Sequence, residues 1–308
     1  MKLLKIAVIG TINKDVIVFP NKKKKISLGG IAYNICTLAA LLKDRAEIYP
    51  VCNLGRNFYP QAVKFLSEFS NVKFNGMKKV SQKHNICSMY YDQYQNREEY
   101  LEGKVPVLNF KQIKPFLNLD AILINFISGW DMSLEVLQKI RKHSKGLILL
   151  DIHSLTLGID KNKKRFLRRP KNWKAYVRCA DIVQMNKTEL ETVLNRKLKS
   201  NGLIAEVKKI LKLNPKIFLL TLGKNGAIVV WRKENKISIK KIEGIPIKKM
   251  VDNIGCGDVF GAAFLAGYLV NRNIINSAQL ANHLAVKKCQ FSGVEKIVNF
   301  PKMKLNFS

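Results

Sequence analysis

The amino-acid sequence predicts an α/β fold: a doubly wound, mostly parallel sheet in three layers, α/β/α, with a small β-rich lid. Short apolar runs alternate with amphipathic stretches from end to end, the pattern of parallel strands buried between two helical layers. Polar residues fall where those runs stop, and in open α/β sheets the ligand crevice lies beyond the carboxyl ends of the strands. Two regions, approximately 14–28 and 72–107, break this rhythm and read as β-rich pieces outside the main sheet.

Strands are expected at Leu4–Ile9, Ala46–Val51, Ala121–Asn125, Gly146–Leu150, Asp181–Met185 and Ile217–Leu222, each short and almost continuously apolar. Apolar residues at helical spacing mark Ala32–Leu42, Tyr59–Phe69, Met132–His143, Lys187–Leu194 and Gly202–Leu211. Within the second irregular region, Ile86–Tyr91 and Glu98–Leu101 look like lid strands. No repeat or low-complexity linker divides the chain, so residues 1–308 are expected to form a single domain with the lid segments inserted in it. The polar tips Asn125–Gly129, Asp151–Ser154, Asn186–Glu189 and Thr221–Gly226 should then converge on one site.

A chain of 308 residues with a 47% hydrophobic share can bury a substantial core. No apolar run reaches the roughly 20 residues of a membrane helix, and the N-terminal apolar stretch is too short for a secretory signal. A cytoplasmic protein with no membrane partner is expected. The six cysteines show neither C-x-x-C pairing nor zinc-ligand spacing, which excludes a disulfide framework and a zinc site of the usual pattern. A net charge of +32 sets up a field that attracts anions, including nucleotides and phosphorylated substrates. The run Lys22–Lys25 and the stretch Lys161 to Lys174, with eight basic residues around Phe166 and Trp173, leave nucleic-acid contact open. Because lysine is spread along the whole length, a solvated basic surface is the preferred reading and nucleic acid an unlikely partner.

The most informative stretch is Asp252-Asn-Ile-Gly-Cys-Gly-Asp258, directly followed by an apolar helical run. A glycine turn at a helix N-terminus offers free N–H groups and the positive end of the helix dipole to an anion. Asp258, in the first turn, is placed to take a proton from a hydroxyl that attacks a phosphoryl group there. A turn with an acidic cap is the plain structural alternative. Cys256 has no evident partner base, so its backbone N–H, not its thiol, is the expected contributor.

These residues, in this order, resemble the PfkB-type, ribokinase-like carbohydrate kinase family, and the resemblance runs over essentially the whole chain. Asp252–Asp258 is similar to the family's D-T-x-G-A-G-D signature, and Gly29-Gly30-Ile-Ala-Tyr-Asn34 to its G-G-x-x-x-N signature. Between them lie Asn186-x-x-Glu189, matching N-x-x-E, and Thr221–Gly226, matching T-L-G-x-x-G. Gly10–Asp15 resembles the opening substrate segment, and Asn282 with Gly293 has the spacing of the adenine-side helix and its following turn. Asn253 stands where the family usually has Thr, Cys256 where it has Ala, and Asp151-Ile-His153-Ser154 departs from the commoner D-x-N.

The resemblance implies Asp258 as general base and the N–H groups of Gly255, Cys256 and Gly257 as an anion hole. It implies Asp15, Gly29, Gly30 and Asn34 as the acceptor site. Asn186, Thr221, Gly223, Gly226 and Asn282 would serve ATP, Glu189 would reach Mg²⁺ through water, and Asp252 would lie beside a possible monovalent cation. Asp15 is otherwise a turn residue, Asn186 and Glu189 a helix cap, Lys224-Asn-Gly226 a hairpin turn, and His153 a structural histidine.

The expected activity is transfer of the γ-phosphoryl group of ATP to a hydroxyl of a sugar or sugar-like substrate. A nucleoside acceptor, stacked on lid aromatics such as Tyr90, Tyr91 and Tyr100, is the nearest alternative, and Arg97 offers a contact for a phosphorylated sugar. A non-catalytic nucleotide- or RNA-binding protein on the same fold is the alternative of another class. An exposed lid edge further suggests a homodimer formed by pairing two lids.

Overall fold

Successive residues of the central strands point into two different apolar cores. Ile6, Val8, Leu123, Leu149 and Leu219 face one, and Ala7, Ile9, Ile122, Ile124, Ile148 and Leu150 face the other. This is the two-residue period of a strand buried on both sides, and it explains why the strands read as continuous apolar runs. The computed structural model describes residues 2–302 apart from 95, 235 and 248. Among these the main sheet has nine strands. From one edge they are Lys236–Ile242, Ala227–Lys233, Ile217–Thr221, Ile182–Asn186, Leu147–Asp151, Ala121–Asn125, Leu4–Gly10, Ala46–Gly55 and Met77–Val80. Pairing is parallel throughout except around Ala227–Lys233, which runs antiparallel to both neighbours.

The helices Ala32–Leu42, Cys256–Asn271 and Ile274–Lys288 cover the first core. Leu134–His143, Trp173–Arg178, Lys187–Leu194 and Ser200–Leu211 cover the second, giving the three-layer arrangement. Cys256–Asn271 is apolar nearly all round because it is sandwiched between the sheet layer and its neighbouring helices.

A second, four-stranded sheet, in the order Lys24–Gly30, Ile12–Val18, Ile86–Tyr91, Arg97–Glu102, stands apart from the main one. The expected lid span is corrected in one respect: of residues 72–107, Met77–Val80 pairs with Cys52–Gly55 at the edge of the main sheet. A short hairpin, Leu157–Ile159 with Arg165–Leu167, borders the lid through a bridge from Tyr100 to Lys164. Neither it nor the strands at 227–233 and 236–242 is among the strands expected from sequence. The hairpin strands are only three residues each, and Lys236–Ile242 carries lysines on an edge, so neither presents an apolar run. No described helix is long and apolar enough to cross a membrane.

Candidate active site

Parallel register brings the strand ends to one line: Gly10 lies beside Asn125, Asn125 beside Asp151, and Asn186 beside Thr221. Beyond them opens a cleft of about 330 Å³, walled by these tips, the lid and the start of helix Cys256–Asn271.

Asp258 sits in the first turn of that helix, buried but lining the cleft. Asn125 Nδ2 donates to Asp258 Oδ1 at 2.7 Å and to Asn34 Oδ1 at 3.0 Å, while Asn34 Nδ2 donates to the Asp258 carbonyl at 2.9 Å. These bonds fix the carboxylate and leave Oδ2 without a partner among the described residues, available to a hydroxyl in the cleft. Gln184 Nε2 extends the network, donating to the Gly257 carbonyl at 2.9 Å and to Asp151 Oδ2 at 2.7 Å.

Gly255 is the helix N-cap, in the left-handed region at φ 76°, and no side chain caps the first turn. A side chain at Gly255 would overlap the Tyr33 ring, so the tight approach and the backbone angle both require glycine. The N–H groups of Gly255 and Gly257 have no acceptor among the described residues, whereas that of Cys256 makes a long 3.3 Å bond to the Asn253 carbonyl. Cys256 Sγ lies 2.9 Å from Cys289 Sγ, and this contact, with burial, raises the Cys256 thiol's pKa well above its ordinary value, unfit for nucleophilic duty.

At the lid end of the cleft, Asp15 is enclosed against Gly29, where a methyl group would coincide with its carboxyl, so the glycine makes the room that the carboxylate needs. Burial, then the Glu99 and Asp258 charges, push the Asp15 carboxyl well up. Asn13, Gly30, Tyr33, Cys87, Met89, Arg97 and Glu99 complete this wall. Asn34, expected to touch the acceptor, is instead fully buried and engaged with Asp258 and Asn125, holding the main chain of Asp258 and, through Asn125, its carboxylate. The lid strands alternate, so Cys87, Met89, Arg97 and Glu99 face the cleft while Tyr90 and Tyr100 pack edge to face outside its wall. Tyr91 donates to Asn253 Oδ1 at 3.2 Å, joining the lid to the glycine turn.

At the other end, Asn186 and Glu189 form a reciprocal cap. Asn186 Oδ1 accepts from the Glu189 N–H at 2.9 Å, and Glu189 Oε2 accepts from the Asn186 N–H at 2.8 Å. Both also line the cleft with Thr188, Thr221, Asp151 and His153. Burial raises the Asp151 carboxyl, Glu189 and Asp258 raise it further, and burial likewise raises that of Glu189. Two carboxylates that resist being charged beside each other suit a hydrated divalent cation, so the donor set fits Mg²⁺ at Glu189 and Asp151. Asp252 is a correction: fully buried, its Oδ1 pairs with Lys288 Nζ at 3.0 Å. Gly223, Gly226 and Asn282 do not line the cleft; the glycines shape the strand turn, and Asn282 Nδ2 donates to the Glu243 carbonyl at 2.8 Å.

Of the residues expected from sequence, the structure gathers Asp15, Gly30, Asn186, Glu189, Thr221, Gly255, Gly257 and Asp258 around the cleft. Asn125 and Asp151 carried a signal as polar strand tips; Gln184 carried none, being a polar residue in the interior of an otherwise buried strand. Of the basic stretch, Trp173 is core and Arg165 is buried, while Phe166 and most of the lysines and arginines are exposed.

Residues 3–299 match the pfkB family of carbohydrate kinases. The chain belongs to that family. It is a phosphotransferase acting on a hydroxyl of a sugar or similar substrate. It is 22% identical over 294 residues to a cytidine kinase of Thermococcus kodakarensis, covering 90% of this chain and 93% of that protein. It is 28% identical over 128 residues to an ATP-dependent 6-phosphofructokinase of Thermoanaerobacterium thermosaccharolyticum, a match of 42% of this kinase and 36% of that one. In fold it is similar to Arabidopsis thaliana ribokinase complexed with ribose and ATP, with TM-score 0.75, 19% identity and coverage of 97% and 100%. Giardia lamblia ribokinase gives TM-score 0.77 at 17% identity, with 96% of each chain covered.

Proposed function

We propose that this kinase transfers the γ-phosphoryl group of ATP to a hydroxyl of a small, neutral, polyhydroxylated acceptor. The observation that carries the reading is Asp258, held by Asn125 and Asn34, with one carboxylate oxygen unpartnered beside the free N–H groups of the glycine turn. Asp258 takes the proton as the acceptor oxygen attacks, and the Gly255 and Gly257 N–H groups meet the negative charge on the moving phosphoryl group. Cys256 N–H joins them on releasing its long bond to Asn253. Mg²⁺ held near Glu189 and Asp151 offsets phosphate charge when bound. The lid, tied to the turn by Tyr91 and Asn253, excludes water that would otherwise compete for the phosphoryl group.

Neutrality of the acceptor follows from charge. Asp15, Glu99 and Asp258 line that end of the cleft with Arg97, whose Nη2 lies 3.5 Å from Glu99, and the buried Arg165 behind them has its Nε 3.8 Å from Glu99, so both nearby guanidinium groups are already paired with a carboxylate. A phosphorylated acceptor would set a dianion among carboxylates that already repel one another. Tyr90 and Tyr100 lie outside the wall and Tyr91 is stacked on Phe19 and bonded to Asn253, so among the described residues Tyr33 is the one tyrosine lining the cleft, which favours a sugar or polyol over a nucleoside.

The test is ADP release with ATP and Mg²⁺ across neutral sugars and polyols, nucleosides and sugar phosphates. Stimulation is expected in the first group. Preference for a sugar phosphate would overturn the charge argument, and ATP binding without stimulation by any acceptor would favour a binding protein.

A further inference from the structure

The helix Ile274–Lys288 ends on a lysine that is wholly enclosed. Lys288 has no exposed surface, and its Nζ donates to Asp252 Oδ1 and to the Phe291 carbonyl, each at 3.0 Å. The ammonium also lies over the rings of Tyr33 and Phe291, 5.4 and 5.2 Å from their centroids. A carboxylate, a carbonyl and two ring faces around one point make the surroundings of a monovalent cation. In this chain a covalently tethered ammonium holds that point.

Its neighbours lead back to the phosphoryl-binding turn. Asp252 Oδ1 also accepts from the Ile254 N–H at 3.0 Å, fixing the residue before Gly255. The Tyr33 ring beneath the ammonium fills the space that any side chain at Gly255 would need. Cys289, next along the chain, accepts from the Val251 N–H at 2.8 Å and contacts the Cys256 thiol. The monovalent-cation site expected beside Asp252 therefore does not fit at Oδ1, where an added ion would meet the Lys288 charge and an oxygen already engaged twice; Oδ2, buried and without a partner among the described residues, is the only oxygen of this carboxylate left over.

We propose that Lys288 is a built-in cation of this site, a positioning residue that holds the glycine turn in its anion-accepting geometry and makes the kinase indifferent to potassium. The kinetic consequence rests on the kinase reading above; the thermal one does not.

The experiment compares wild type, Lys288→Ala and Lys288→Met in potassium chloride and in choline chloride at equal ionic strength, reading melting temperature and acceptor-stimulated ADP release. Wild type is expected to behave alike in both salts. Lys288→Ala is expected to lose roughly a hundredfold in kcat, the cost of a small misplacement of a reacting group, with little change in acceptor KM. Potassium, which fits the vacated space, should recover part of that loss and raise the melting temperature of Lys288→Ala, while choline should do neither. Lys288→Met fills the space without charge and should gain nothing from potassium. Potassium-specific activation or stabilisation of wild type would overturn the proposal, as would a Lys288→Ala protein whose melting and turnover match wild type in choline. Should Lys288→Ala not fold, the wild-type comparison and Lys288→Arg decide, since Arg retains the charge and is expected to keep potassium-indifferent melting. If no acceptor stimulates turnover the kinase reading fails, yet the melting temperatures still judge Lys288.

Discussion

At the Asp258 end of the cleft the key groups lie at two helix starts, Asn186–Glu189 and Asp252–Asp258, whereas at the Asp15 end Asn13 and Asp15 come from one lid strand and Arg97 and Glu99 from another that is not its neighbour. The first end is organised by backbone: a reciprocal helix cap, a left-handed glycine and free N–H groups. The second is organised by side chains forced together at a loss of hydration, as the raised Asp15 carboxyl records. In the proposed reaction, backbone geometry serves a group common to all nucleotides, while side-chain geometry serves the variable acceptor. Substitutions at the two ends should therefore fail in different kinetic terms.

Short of removing the Asp258 carboxylate itself, the largest effect is expected from Gly255→Ala, which meets both a positive φ and the Tyr33 ring. Moving the anion hole by a fraction of an ångström should lower kcat by roughly a hundredfold, with ATP affinity measured by calorimetry changing less. Gly29→Ala breaks the other end. The added methyl overlaps the Asp15 carboxyl, and an overpacking cost of about 1–3 kcal/mol should raise the acceptor KM by roughly tenfold while the ATP KM stays the same. A Gly29→Ala enzyme impaired equally toward both substrates would erase the division between the two ends.

How much of this was readable follows the same division. Asp258, Gly255, Asn186 and Glu189 announce themselves because a cap or a glycine turn is a pattern of adjacent residues. The pairing of Asn125 with Asp258 joins residues far apart in sequence, so only the fold reveals it, and the reassignment of Asn34 from acceptor contact to positioning residue has the same origin. Lys288 reads as one more lysine at the basic end of a helix until the Asp252 pair shows it buried. The central strands were legible because burial on both faces demands unbroken apolar runs, whereas Met77–Val80 lies at the sheet edge, with two lysines exposed, and was placed with the lid. For Tyr90 and Tyr100 the sequence leaves nucleobase stacking and lid packing equally open, because two-residue alternation does not say which face of a sheet looks into the cleft, and the structure shows them packed on each other.

Asp151→Asn should separate stability from function. The Asp151 carboxyl is raised in the folded protein, so its contribution to stability is full below the unfolded carboxyl pKa, near 4, and lost as pH rises through the folded value. Removing the charge should therefore raise the stability of the ligand-free protein at neutral pH by on the order of 1 kcal/mol, read by denaturant melts, with no gain near pH 4 and with reduced turnover. The smallest effect is expected from Tyr90→Ala: its ring packs on Tyr100 outside the cleft wall, so kcat and both KM values should be unchanged.

Asp258→Asn tests the central claim most directly, because the amide retains an oxygen to accept from Asn125 and loses only the ability to take a proton. At saturating ATP and acceptor, with nucleotide occupancy matched by calorimetry, acceptor-dependent ADP release should fall by roughly a hundredfold or more. Undiminished release from the amide variant would show that the proton leaves by another route and that Asp258 is not the base.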